Sequence, residues 1–289
     1  MAIEKYCSVT KNQVRLSDYT SVKIGGIANL VTYPTQCEIA GLINYLECDN
    51  IPYIVLGKGS NTLISDNGYS GVVVLTSKLT DIETDEDTIT CGSGVSLPTL
   101  ARVAKEHCLT GLEWAVNIPG TIGGGMVTNA GAYGMALCDI VESATIVKDI
   151  TKVYYNADLG FGYRKSNIPS LGTVSRVRLK LKKESPQTIL ALEREYIKRR
   201  QSSQPKGYSL GSVFRSHNGV SAGYYIEQAG LKGVKIGGAE ISAIHANFII
   251  NTGSATAKDY LALINLIEDK VYSTFGIRLV KEINIVGEI

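Results

Sequence analysis

Apolar positions along the chain switch repeatedly between helical and strand spacing. After Thr35-Gln36-Cys37-Glu38, a Thr-x-x-Glu box, Ile39, Leu42, Ile43 and Leu46 recur three and four apart, which predicts an amphipathic helix with a capped first turn. Pro52-Tyr53-Ile54-Val55-Leu56 reads as a short strand ending in glycine, and Gly71-Val72-Val73-Val74-Leu75 as a second apolar run of strand length. Another helix opens at Ser96 and turns Leu97, Leu100, Val103 and Ala104 inward. β-Rich runs broken by glycine follow, among them residues 143–147 and 174–181. The polar stretch 182–186 ends in Pro186 and marks a boundary. Beyond it lies a charged helix over about 187–200, then a strand over 246–251. Thr256 and Asp259 box a last helix over 257–275, whose buried stripe is Tyr260, Leu263, Ile264, Ile267 and Val271. The pattern is α+β in two parts, 1–185 and 186–289.

Composition narrows the function classes. With 289 residues, 44% of them hydrophobic, the chain can bury a sizeable core. Its net charge of +2 supplies no broad basic face, so no nucleic-acid partner is expected. Charged residues arrive at once after Met1 and the apolar runs are too short to span a bilayer, so neither a leader nor a membrane segment is expected. Six cysteines show no Cys-x-x-Cys pair and only three histidines accompany them, which predicts free thiols, no metal site and a cytoplasmic location. A monomer is the default expectation.

The chemistry gathers at two glycine loops. Gly57-Lys58-Gly59-Ser60-Asn61-Thr62 follows a strand directly, and glycine there permits positive φ and leaves backbone N–H groups uncovered for an anion. It lacks the Gly-Lys-Ser/Thr ending of a Walker loop, and Thr62 stands where a dinucleotide fingerprint needs its third glycine. A tight structural turn would use the same residues. The second stretch, Pro119-Gly120-Thr121-Ile122-Gly123-Gly124-Gly125 followed by Asn129-Ala130-Gly131-Ala132, removes so much side chain that backbone approach to a flat or phosphorylated ligand explains it better than core packing.

In order and spacing these loops resemble the flavin-binding part of the UDP-N-acetylenolpyruvoylglucosamine reductases, also called UDP-N-acetylmuramate dehydrogenases. The likeness continues through residues 20–26, Gly160-Phe161-Gly162-Tyr163-Arg164-Lys165-Ser166, Leu210-Gly211-Ser212-Val213-Phe214, residues 227–233, His245-Ala246-Asn247-Phe248 and Lys281-Glu282-Ile283-Asn284. The resemblance implies a flavin domain of two α+β subdomains over 1–78 and 79–185, of the vanillyl-alcohol-oxidase type, with the cofactor between them. It further implies a C-terminal α/β substrate domain over 186–289, whose last strand returns to the flavin site. It implies non-covalent FAD, NADPH as hydride donor, and reduction of an enolpyruvyl UDP-sugar in peptidoglycan precursor synthesis. On matching positions Ser212 becomes the proton donor, with Arg164 and Glu282 stabilising the enol-like intermediate. Gly57 to Thr62, Pro119, Gly120, Thr121, Gly123, Gly124, Asn129, Gly131 and Ala132 become flavin contacts. Tyr163, Arg215, His245 and Asn247 become substrate contacts.

Residue types agree with that chemistry. Hydride addition to a carboxylate-conjugated alkene moves negative charge toward the carboxylate, which a guanidinium can meet with two hydrogen bonds. Serine is a poor acid at its ordinary pKa and needs help that the sequence does not reveal. Lys198, Arg199, Arg200 and Lys206 are candidates for the UDP diphosphate, or simply cations at a helix C-terminus. The chain departs from the family pattern at Asn117, Tyr208, Arg215-Ser216-His217 and Tyr224, all but the first on the substrate side. The interval from Arg164 to Ser212 is short, which implies the shorter, second type of the family. A flavin enzyme acting on another alcohol or sugar, and a nucleotide-binding protein without catalysis, are the competing readings.

Overall fold

A computed structural model describes residues 2–289. Strands β1 (Thr10–Arg15) and β2 (Ile27–Thr32) precede α1 (Ile39–Cys48), followed by β3 (Tyr53–Leu56), β4 (Thr62–Ile64), β5 (Tyr69–Leu75), β6 (Ile82–Asp85) and β7 (Thr88–Gly92). Next come α2 (Leu97–Glu106), β8 (Leu109–Thr110), α3 (Ile122–Thr128), β9 (Gly131–Ala132), β10 (Met135–Ala136), β11 (Val141–Val147) and β12 (Thr151–Tyr155). After α4 (Ile168–Leu171) lie β13 (Thr173–Lys180), β14 (Lys182–Lys183), α5 (Pro186–Ser203), β15 (Tyr208–Ser209) and α6 (Ala222–Gln228). The chain continues through β16 (Lys235–Ile236), β17 (Ala239–Ile241), β18 (Ile249–Asn251), α7 (Ala257–Phe275) and β19 (Asn284–Val286).

Two compact units emerge, one of residues 1–12, 30–57 and 71–200, the other of 13–29, 58–70 and 201–289. The sequence pattern suggests a single cut at 185; the packing breaks after Arg200 instead. The reason is α5, which is tied into the first unit by Lys105 Nζ to Glu193 Oε2 at 2.7 Å and by the stacked rings of Tyr133 and Tyr196, 4.6 Å apart.

In the first unit a five-stranded antiparallel sheet is ordered β12–β11–β13–β7–β6. α2 and α3 contribute Leu100, Ala104, Ile122 and Met126 to a core that includes Ile89, Trp114, Ile146 and Leu179. Ser96 caps α2 by accepting the Thr99 N–H at 3.2 Å, as the sequence predicts. β3 lies parallel to β5, and α1 packs Leu42, Ile43 and Leu46 with Val72 and Val74. The Thr35 box is half formed: the Glu38 carboxylate accepts from the Thr35 and Ser8 N–H groups, but regular helix begins only at Ile39.

The second unit is built around α7. Thr256 and Asp259 close the predicted capping box, Gly276 ends the helix in the left-handed region at φ 70°, and all five stripe residues are fully buried. Both Asp66 carboxylate oxygens accept from the Ala257 N–H, adding an anion at the helix N-terminus. The helix stripe shares one core with Ala239, Ile241 and Ile249 of the antiparallel sheet β15–β18–β17–β16. β19 runs parallel to β4, pairing Asn284 to Val286 with Thr62 to Ile64. The strand expected over 246–251 is only Ile249–Asn251. Residues 245–248 form a turn instead, in which Phe248 N–H reaches His245 O at 3.0 Å and Asn247 N–H reaches His245 Nδ1 at 3.2 Å.

Candidate active site

In the first unit an open cleft is bordered by Gly57, Thr76, Ser93, Thr121, Gly123 and Gly124. Thr121 caps α3 by accepting the Gly124 N–H at 3.3 Å. Its side chain faces Gly57 so closely that a Cβ there would lie 2.4 Å from Thr121 Oγ1. A Cβ on Gly123 would meet Ser93 Cβ at 2.7 Å. The sequence assigns the N–H groups of this loop to an anion, yet several are spent internally: Ile122 donates to Val95 O, Gly123 to Ser93 O and Gly124 to Thr121. Gly123 thus brings two backbone segments together and shapes the cleft, while Gly124 borders it with only Thr121 Oγ1 near, at 3.5 Å from a built Cβ.

Two polar atoms of the cleft are unspent. Ser93 Oγ and Thr76 Oγ1 are buried and have no hydrogen-bond partner among the described residues. A buried hydroxyl costs free energy unless something completes it, so both fit a polar ligand in the cleft. Sequence reasoning missed them; the available signal was Gly92-Ser93-Gly94, where Cβ atoms on both glycines would strike the Leu79 and Thr76 carbonyls.

Arg164 and Tyr163 stand beside the second loop. Arg164 occupies the left-handed region at φ 53°, costly for a non-glycine residue, and its Nη2 donates to Gly131 O at 2.8 Å. The guanidinium lies over the Tyr163 ring, 5.4 Å from its centre, and Tyr163 is exposed. Gly131 and Ala132 form β9 of the small hairpin with β10, and a Cβ on Gly131 would collide with Met135 O. Asn129, expected to contact flavin, is buried, donates to Gly162 O and accepts from Cys138 N–H, bonds that hold it in the scaffold around the loop. Gly120 accepts from Leu97 N–H and takes φ 140° next to Pro119.

The second unit holds the remaining candidates. Lys58 enters a turn at Gly59, φ 55°, where a Cβ would lie 2.3 Å from Tyr19 O. Past Ser60, Asn61 Nδ2 donates to Glu282 O at 3.0 Å and Thr62 begins β4. Glu282 N–H in turn donates to Val213 O at 2.8 Å, which brings the Ser212 and Glu282 segments side by side. Arg215 hangs from the same segment through its N–H to Val280 O, and its Nε is buried without a partner among the described residues. Burial pushes the His245 imidazole below its ordinary pKa and its Nδ1 accepts from Asn247, so the neutral ring carries its proton on Nε2. Asn247 was expected to touch substrate; it is instead 4% exposed, with Oδ1 accepting from Phe214 N–H at 3.0 Å and Nδ2 donating to Phe214 O at 2.8 Å. The motif marks this residue in the sequence, but only the fold reveals that it faces the protein.

Residues 27–153 match the family profile described as FAD binding domain, which together with the glycine-lined cleft defines the class as an FAD-binding protein. Residues 203–286 match the C-terminal domain of UDP-N-acetylenolpyruvoylglucosamine reductase. A protein of that name from Caldanaerobacter subterraneus subsp. tengcongensis is 42% identical over 93% of this chain and 91% of its own length. One from Streptococcus pneumoniae is 40% identical over 94% of this chain and 92% of its own. The crystal structure of the Thermus caldophilus UDP-N-acetylenolpyruvylglucosamine reductase superposes with a TM-score of 0.85 at 36% identity, covering 96% of this chain and all of that one. The chain belongs to the UDP-N-acetylenolpyruvoylglucosamine reductase family.

The first unit fits FAD on its own terms: Gly57 and Gly123 let the cleft wall close on Thr121 and Ser93, Gly124 leaves room beside it, and the unpartnered Ser93 and Thr76 hydroxyls offer polar contacts. Among the described residues no group of histidine, cysteine or acidic side chains is arranged to hold a metal ion.

Proposed function

We propose that the protein reduces UDP-N-acetylglucosamine enolpyruvate to UDP-N-acetylmuramate, a step in peptidoglycan precursor synthesis, with NADPH as hydride donor. Bound in the cleft bordered by Gly57, Thr121 and Gly124, FAD would supply the hydride chemistry between NADPH and the enolpyruvyl methylene carbon. Ser212 then delivers a proton to the adjacent carbon. Arg164 meets the charge that gathers on the substrate carboxylate, where a guanidinium gives two charge-assisted hydrogen bonds. Its unusual backbone conformation and its bond to Gly131 O limit how far the guanidinium can wander. Glu282 is assigned to the same developing enolate. Tyr163, Arg215 and His245 are assigned to the substrate.

Family membership supports the reaction, and one observation supports the residue roles. The Glu282 N–H to Val213 O bond sets the Glu282 segment beside the segment that carries Ser212, which favours a shared task on one substrate. A nucleotide-sugar substrate and NADPH both point to the cytoplasm, and the six cysteines are free, as in a reducing compartment. No helix among the described residues is long and apolar enough to cross a membrane.

The test is the visible spectrum of the purified protein, followed by anaerobic NADPH and then the enolpyruvyl sugar. Flavin absorbance should bleach with NADPH and return with the sugar. Ser212→Ala should leave the bleaching intact and slow its return by about 10²–10⁴-fold, the range for loss of a general acid. Flavin that bleaches but is never reoxidised by this sugar, in the unsubstituted protein, would refute the proposed substrate.

A further inference from the structure

We infer that Asn247 is the positioning residue for proton delivery by Ser212, acting through the backbone and not by touching substrate. The inference rests on the reading of Ser212 as proton donor. Five consecutive backbone polar groups just after that serine are held. Val213 N–H donates to Asn247 O at 2.9 Å and Val213 O accepts from Glu282 N–H at 2.8 Å. Phe214 N–H and Phe214 O are both taken by the Asn247 side chain, at 3.0 and 2.8 Å. Arg215 N–H donates to Val280 O at 2.9 Å. Before the serine, Gly211 takes φ 76°, a left-handed conformation that glycine adopts without the penalty a side chain would meet.

Ser212 therefore sits at the edge of a clamped segment, between a left-handed glycine and five held backbone groups. The fixation depends on a side chain carrying one donor and one acceptor at amide spacing. Asparagine imitates a neighbouring strand here, because its carboxamide presents to Phe214 what a peptide group would. Leucine has the shape without the bonds, aspartate has the acceptor without the donor, and glutamine places the amide one carbon further out. The Phe214 ring is itself fully buried, in the core it shares with Ile226 and Ile264, so the clamp is anchored in the unit's interior. Asn247 is as deeply placed, which removes it from the substrate's reach.

A proton donor misplaced by about 1 Å loses on the order of 10²-fold in rate. The FAD-loaded enzyme is examined by stopped flow in two separate steps, flavin reduction by NADPH and reoxidation by the enolpyruvyl sugar, each in H2O and in D2O. Asn247→Ala should reduce reoxidation at saturating sugar by about 10²-fold. Its solvent isotope effect should grow, while flavin reduction keeps the wild-type rate. Asn247→Asp, which retains the acceptor and the volume, should show the same change to a smaller degree, and serves if the alanine variant does not fold.

The decisive comparison is made in the Ser212→Ala background, where Asn247→Ala should slow reoxidation no further, because a residue acting only through Ser212 has nothing left to position. Multiplying effects in the double variant would overturn the inference. So would equal slowing of both steps, which marks a merely structural residue, or weaker sugar binding with an unchanged saturated rate, which marks a direct contact. Slow reoxidation in Ser212→Ala with normal reoxidation in Asn247→Ala sinks this inference alone. Normal reoxidation in Ser212→Ala sinks the reading of Ser212 with it.

Discussion

Replacing Gly57 by alanine is a sharp test of the cleft. The new Cβ would fall 2.4 Å from Thr121 Oγ1 and 3.1 Å from its Cγ2, whereas ordinary contact begins near 3.4 Å. About 1 Å of displacement must be found, and the atom in the way is the cap of α3. If Thr121 moves, the Gly124 N–H loses its acceptor, at a cost of about 1 kcal/mol. If the backbone moves instead, overpacking costs about 1–3 kcal/mol. Either route deforms the wall that Gly57, Thr121 and Gly124 make together. FAD affinity should fall by about 10–100-fold, because each 1.4 kcal/mol is a factor of ten. Titration of flavin-free protein with FAD, followed by flavin fluorescence, measures the constant directly. Thr121→Ala removes the obstructing oxygen, so Gly57→Ala should do far less damage in that background than in the wild type. Wild-type FAD affinity in the single variant, or strictly additive losses in the pair, would refute the steric argument.

Two further outcomes follow from the packing. The Glu38 carboxyl is held down to about 2 from 4.5, first by the Thr35 N–H and then by Ser8, against the opposing effect of partial burial. A depressed carboxyl stabilises the fold above its unfolded pKa and loses that contribution as pH falls toward the folded one. The gap in Tm between wild type and Glu38→Gln should therefore be full at pH 6 and narrow from pH 4.5 toward 2; a gap constant over that span would contradict the assignment. Ile267→Ala, in the fully buried stripe of α7, should cost about 2–5 kcal/mol in a denaturant titration, and a loss under about 1 kcal/mol would show that the stripe is loosely packed.

Local chemistry explains what the sequence revealed. Thr256 and Asp259 act across three residues, and Ser96 acts on its own first turn, so both helix starts were readable without knowledge of the fold. The helical and strand periodicities located α2, α7, β3, β11 and β13 for the same reason. Long-range pairing was hidden from the residue pattern, and only the family resemblance implied that the last strand returns to the flavin site. Nothing near residues 58–70 announces that they pack with 201–289, because the β4–β19 ladder depends on Thr62 and Asn284 meeting across most of the chain. The second glycine stretch was read mainly as ligand approach, whereas Gly123 and Gly131 serve close backbone approach within the protein and Gly124 borders the cleft. At 246–248 the apolar pattern suggested a strand, but the Asn247 amide spends itself on Phe214 and bends the chain. For Asn247 the motif indicated importance without indicating direction, which only burial supplies.

The β4–β19 ladder also sets an order of events during synthesis. Residues 13–29 and 58–70 leave the ribosome early, yet their partners in the second unit lie in 201–289 and are made last. Strand β4 must wait with an open edge while the first unit completes itself around it in sequence. Translation cannot finish this chain piece by piece: the second unit is not complete until residues 284–286 emerge to pair with β4. A nascent chain stalled or cleaved short of β19 would expose a strand edge at β4, a target for quality control and a seed for aggregation.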